Sequence, residues 1–302
     1  MNSDLTTISD RIRSVTIDVA WQMWSALGVS SWESPAPRSV IELEPLIALT
    51  AVGAADDQRL LTQAVDWCAA NADLVSLHQM RRVVKDNGWQ LDGPIADFGA
   101  TAGYFMRKSW PGASDAQPFV RELPLKSTPP DLRKPSLIAL RLRAVFGVGA
   151  KSEILRHFLF HPWPSTISQI AREIPYAKRQ IAKDLRLLTL ADITRLSARG
   201  STPEYVLSDA SALEPIAGKP TAQPVRWGPA FRVMTALAEA FSELGSSNLK
   251  NPNTALTAQL RRLDRVFGQL EREQWWTGPP TPTIDDVAEW VPRFLEQIRL
   301  QI

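Results

Sequence analysis

The sequence predicts a mainly α-helical protein with one short β-hairpin near its centre. Three observations carry this. Apolar residues recur every three to four positions over most of the 302 residues, the period of a helix with one buried face. Only one stretch, Ile193 to Leu207, alternates in the manner of paired strands. Two proline-rich segments, 109–135 and 211–224, interrupt the helical pattern and divide the chain. The length allows two or three domains, and 44% hydrophobic with 22% charged residues fits an ordinary globular chain.

The first third reads as helices. Thr6 to Leu27 keeps helical spacing and ends at Gly28. Its apolar run IDVAWQMWSALGV contains Asp18 and is too short to span a bilayer, so no membrane partner is expected. After the loop SSWESPAPRS come helices over Val40–Val52, Asp56–Ala70 and Ser76–Lys85. Asp56 or Asp57 can cap the second of these and Asn71 can end it, while the third stops at Asn87-Gly88. Six prolines between Ser109 and Pro135 predict an extended connector, which can still dock through Phe119, Val120 and Leu123. Leu137–Phe146 and Lys151–Phe160 read as helices, and a pair of short helices follows around Pro175. The hairpin has strands Ile193–Leu196 and Glu204–Leu207, with Ala198–Pro203 as its tip. Past the second linker, helices are expected over Pro229–Leu244, Asn253–Trp276 and Ile284–Leu300. The ranges that follow are an N-terminal helical domain (1–108), a connector (109–135), a central domain (136–210), a linker (211–224) and a C-terminal helical region (225–302).

The chemistry concentrates in QIAREIPYAKRQIAKDL, residues 169–185. Ser165 or Thr166 can cap the first short helix, and Ile167, Ile170, Ala171 and Ile174 share one face of it. Pro175-Tyr176-Ala177 makes the break. In the second helix, which opens with Lys178, residues Ile181, Leu185 and Leu188 share a face. Arg179, Lys183 and Arg186 project to the other side, with Gln180 flanking them. Helix, tight turn, basic helix and hairpin in this order resemble the winged helix-turn-helix of bacterial transcriptional regulators of the ArsR, MarR and PadR type. The likeness covers residues 137–208, with KSEILRHFLFHP preceding the motif and STISQIAREIPYAKRQIAKDLRLLTLADI forming it.

That resemblance implies a recognition helix over about 177–189 in the major groove of double-stranded DNA and a wing over about 193–207 on the backbone. Arg179 and Gln180, in the first turn, are placed for base edges, where arginine grips guanine and glutamine adenine. Lys183 and Arg186 reach phosphate, as do Ser165 and Thr166 at a helix N-terminus. Arg195 and Arg199 are the wing contacts, Lys178 adds charge at the helix start, and Tyr176 is left between packing and phosphate binding. Residues 137–210 hold eleven Lys and Arg against six Asp and Glu, a net +5, whereas the whole chain is only +2. The positive charge thus gathers where the resemblance places DNA.

Other signals read as structural. His157 and His161 stand four apart, with Glu153 one turn earlier, but two histidines leave zinc short of ligands, so they read as packing at a helix end before Pro162. GVGAKS at 147–152 lacks the glycines of a phosphate loop. Cys68, the one cysteine, rules out an internal disulfide and sits on an apolar stripe, as a buried thiol would. No nucleophile motif or paired carboxylates appear, so neither enzyme activity, metal nor cofactor is assigned. The eleven tryptophans read mostly as core. The expectation is a cytoplasmic, DNA-binding transcriptional regulator, a repressor acting as a homodimer. The long helix 253–276 offers Leu256, Leu260, Leu263, Val266, Phe267 and Leu270 either to a partner helix or to the chain's own core. An alternative comes from the N-terminal helices. They resemble bacterial proteins accompanying nucleotidyltransferase-type toxins or defence systems, which implies an antitoxin-like adaptor that binds a partner protein.

Overall fold

The computed structural model describes residues 2–29, 35–113, 115–197, 202–246, 264–272 and 283–302, with isolated positions 254, 258 and 275. The protein is mainly helical, with a small three-stranded antiparallel sheet. In chain order the helices are α1 (Asn2–Ala26), α2 (Leu43–Gly53), α3 (Gln58–Ala70), α4 (Leu77–Asn87), α5 (Gly93–Met106), α6 (Ile138–Phe146), α7 (Ala150–Phe160), α8 (Ile167–Glu173), α9 (Lys178–Leu190), α10 (Glu214–Ala217), α11 (Trp227–Ser246), α12 (Asp264–Arg272) and α13 (Ile284–Gln301). The strands are β1 (Ser165–Thr166), β2 (Thr194–Ser197) and β3 (Glu204–Leu207).

Side-chain caps explain where several helices begin. Asp57 Oδ1 accepts from the Leu60 amide at 2.9 Å, and Ser76 Oγ from the Gln79 amide at 3.2 Å, so α3 and α4 begin where their short polar residues stand. Gly88 takes φ +72° after α4, a conformation that suits glycine. Helix α5 was not foreseen. Gly99 and Gly103 argue against a helix at about 1 kcal/mol each, but the fold needs the first of them bare, because a Cβ at Gly99 would collide with the Trp110 ring.

The two ends of the chain form one core. Helix α1 lies along α11, and both bury apolar faces together with α2 and α13. The N-terminal and C-terminal helices, read above as two regions, thus share a single apolar interior. Val266 and Leu270 of α12 are buried in it, so the described part of the 253–276 segment covers the chain's own core; Leu256, Leu260 and Leu263 lie outside the described residues. Three buried tryptophans find acceptors: Trp24 Nε1 donates to Thr50 Oγ1 at 2.8 Å, Trp67 Nε1 to the Leu27 carbonyl at 2.8 Å, and Trp227 Nε1 to the Val40 carbonyl at 3.0 Å. The proline-rich connector is docked. Phe119 and Leu123 pack on this core, and buried Asp66 accepts from the Lys126 amide and from both the amide and hydroxyl of Ser127.

A second core lies under the centre. Ile138, Leu142, Ile154, Leu155 and Phe158 meet Ile170, Ile174, Ile181, Leu185 and Leu188 there. The 211–224 segment also contributes to it, placing Leu213, Ala217 and Ala222 in the same core. The sheet has the order β1-β3-β2, with Ser165 opposite Tyr205 and Arg195 opposite Val206. The hairpin was legible from alternation; β1, two residues long, has no room for any.

The two cores are joined by a buried ion network. Arg143 of α6 donates to both oxygens of Glu44 on α2 (2.8 and 3.0 Å), to Glu153 Oε1 on α7 (3.1 Å), to Gln79 Oε1 on α4 (2.6 Å) and to the Leu74 carbonyl (3.0 Å). Arg156 adds bonds to Glu153 at 2.9 Å and Glu42 at 3.4 Å. Burial opposes the charge on Glu153, but Arg156 and Arg143 overcome that cost and hold its carboxyl at about 2 against an ordinary 4.5. Removing Arg143 takes away the cation paired with buried Glu44 and leaves Glu153 to Arg156, so Arg143→Ala should cost about 3–5 kcal/mol in urea unfolding. Because the folded value of Glu153 lies below its unfolded value, its contribution is complete above pH 4.5 and is lost as pH falls toward about 2. Acid unfolding followed by circular dichroism should show this loss, and Glu153→Gln should remove that part of the profile.

Candidate nucleic-acid interface

Helix α9 is positioned from beneath by apolar contact. Ile181 and Leu185 are fully buried and Leu188 nearly so, against α7, α8 and β2. The expected inward face is therefore the observed one. On its other side Arg179, Lys183 and Arg186 are exposed, and among the described residues none of the three has a hydrogen-bond or ion-pair partner. Lys178 is also exposed, and its ammonium donates to Ser168 Oγ on α8 at 2.9 Å. Gln180 is exposed, with its amide nitrogen donating to Asp184 Oδ2 at 2.7 Å, which leaves its carbonyl free to accept. On β2, Arg195 points to solvent. Arg199 lies outside the described residues.

Three residues of the expected set have duties inside the fold. Ser165 is buried, with its hydroxyl 3.2 Å from His157 Nε2. Thr166 forms a reciprocal capping box with Gln169 at the start of α8. Tyr176 is half-buried and stacks on His78 of α4, ring centroids 5.0 Å apart. His78 Nε2 also lies 2.9 Å from the Pro175 carbonyl, so the turn between α8 and α9 is held by the N-terminal helices. Desolvation raises the Tyr176 phenol above its ordinary value. Of the eleven cations counted at the centre, Arg143 and Arg156 belong to the ion network between the two cores and contribute nothing to the outer face.

A second constellation lies at the far end of α7. His157 Nδ1 is 2.7 Å and His161 Nδ1 3.6 Å from the same oxygen, Glu173 Oε2, at the end of α8. The two imidazoles stack with centroids 4.9 Å apart. A hydrogen bond from His157 holds the Glu173 carboxyl below the usual range, against a desolvation cost. All three line a cavity of about 400 Å³ together with Arg156 and Arg226. The sequence pairs these histidines with Glu153, one turn back on the same helix; in the fold Glu153 turns to the arginines, and the carboxylate that arrives is sixteen residues beyond His157. No sequence period signals that approach, because it depends on how α8 folds back over α7.

Cys68 is fully buried, and burial raises its thiol well above the ordinary range. A thiol-specific reagent should leave it unmodified in the native protein and label one site per chain in denaturant. Truncating Ile181 to Ala should cost about 2–5 kcal/mol of unfolding free energy, whereas reversing Arg179 or Lys183 to Glu should change it by no more than about 0.5 kcal/mol. Thermal or urea denaturation of the three variants measures both.

No family model, no curated protein and no solved structure matches this chain.

Proposed function

We propose that this protein binds double-stranded DNA in a sequence-dependent way and regulates transcription, with residues 138–207 serving as a winged helix-turn-helix. The observation that carries the reading is the free cationic face of α9. Arg179, Lys183 and Arg186 stand exposed and without a partner among the described residues, opposite a buried aliphatic face. Unpaired cations in a row along a rigid helix suit a polyanion, because each phosphate they meet releases a condensed counterion. The order of elements supports the same reading: helix, short strand, two helices and a two-stranded ribbon that pairs back onto the first strand. In this arrangement α9 enters the major groove, Arg179 and Gln180 face base edges, Lys183 and Arg186 face phosphate, and Arg195 lies on the flanking backbone. One helix of thirteen residues reads few base pairs, so the active species is a homodimer on a two-fold site, and occupancy of that site represses.

A second reading has its own observation. Trp163, Leu190 and Leu196 are 66%, 73% and 55% exposed, large apolar residues around the same region. They would serve an adaptor that binds a protein partner, such as a toxin or a defence component.

A gel shift with genomic fragments at two salt concentrations separates the two. The DNA reading expects a preferred fragment and a log–log salt slope of about −0.9 for each phosphate contacted. The double variant Arg179→Glu/Lys183→Glu should lose binding while unfolding normally. Retained binding in that variant would remove α9 from the interface, and no preferred fragment at either salt would favour the adaptor.

A further inference from the structure

The geometry points to a divalent transition-metal site, of the zinc class, formed by His157, His161 and Glu173. Imidazole and carboxylate are the ligand types zinc takes in mixed sites, and three protein ligands with one position left open is a common zinc arrangement. Here the three ligand atoms already lie within 4.8 Å of one another. Zinc bonds of about 2.0–2.2 Å place tetrahedral ligand atoms roughly 3.3 Å apart, a spacing bracketed by the 2.7 and 3.6 Å that separate Glu173 Oε2 from the two imidazoles. His157 has the outer support expected of a metal ligand. With Nδ1 turned to the site, its Nε2 lies 3.2 Å from the buried hydroxyl of Ser165, which can accept the ring proton and fix the tautomer.

The charges nearby are compatible. Arg156 on the cavity wall is neutralised by Glu153 and Glu42. Arg226 lines the same cavity, so a divalent ion there favours a small anion or hydroxide at its fourth position, and about 400 Å³ is ample room for one. The three ligands come from the end of α7 and the end of α8, so a bound ion ties those two helices together just before the turn into α9. The site does not depend on the DNA reading, because no ligand lies on the exposed face of α9.

The test is calorimetric titration of the full chain with zinc chloride, with cobalt(II) as a spectroscopic probe. The expected result is one zinc per chain and the visible bands of a four-coordinate cobalt centre. His161→Ala and Glu173→Gln, both at part-exposed positions, should each weaken zinc binding more than tenfold while far-UV dichroism shows the helical fold retained. Ser165→Ala should weaken it by about 10–100-fold. Absence of zinc binding by the wild-type chain, or one-to-one binding that survives both ligand variants, would overturn the site. Neither result involves DNA, so failure here is distinguishable from failure of the DNA reading.

Discussion

The arrangement of the molecule rests on a single guanidinium. Arg143 is buried between the two cores, and all its N–H groups find acceptors on Glu44, Glu153, Gln79 and the Leu74 carbonyl. Apolar contact between α6, α7 and the N-terminal helices would tolerate sliding, because it has no direction. A planar fork between two carboxylates does not, and only one docking of α2 and α4 on α6 and α7 satisfies it. Lysine offers three rotatable donors in place of that fork and cannot reproduce it. A buried pair of this kind adds little stability over a well-packed apolar substitute, so its consequence here is register.

That register reaches α9 through short steps. Gln79, which bonds both Arg143 and Glu153, is next to His78, and His78 meets the Pro175 carbonyl and the Tyr176 ring. The turn leading into α9 is therefore fixed by the same helix that closes the ion network. Beneath, Ile181, Leu185 and Leu188 hold the helix by area alone. The cations of the centre divide accordingly. Arg143 and Arg156 are desolvated and compensated, and they determine architecture; Arg179, Lys183, Arg186 and Arg195 are exposed and lie on the candidate face. A charge sum over the segment cannot distinguish the two classes, since both add one unit to it.

Much of this was readable from the residues, for identifiable reasons. The faces of α9 follow from a 3.6-residue period that no neighbour overrides, and the hairpin follows from a loose alternation on either side of a polar tip. Caps at Asp57 and Ser76 sit where short polar side chains precede an apolar run. Helix α5 was hidden by glycines whose reason is tertiary, the close passage of Trp110. The shared core of α1 and α11 was hidden because contact between residues some two hundred positions apart leaves no local periodicity. Ser165 and Tyr176 looked available because a sequence shows a polar group but not what already binds it; His157 and His78 occupy them.

The same limitation explains why the histidine pair looked inert. Sequence spacing can align two ligands on one helix, but a third from another helix depends on topology. Helix α8 is seven residues long and turns back over α7, so its last residue, Glu173, returns to the end of α7 where the histidines stand. Its first turn, pinned by the Thr166–Gln169 capping box, sets that return angle, and Ser165 just before it meets the other face of His157. Polar contacts therefore fasten both ends of α8, while Ile170 alone is fully buried from its middle. Ile170 and the partly buried Ile167 and Ala171 seat the helix on the second core, its end contacts add direction, and α9 follows after a four-residue turn. Whatever binds at the Glu173 end thus acts on the element that aims the cationic face.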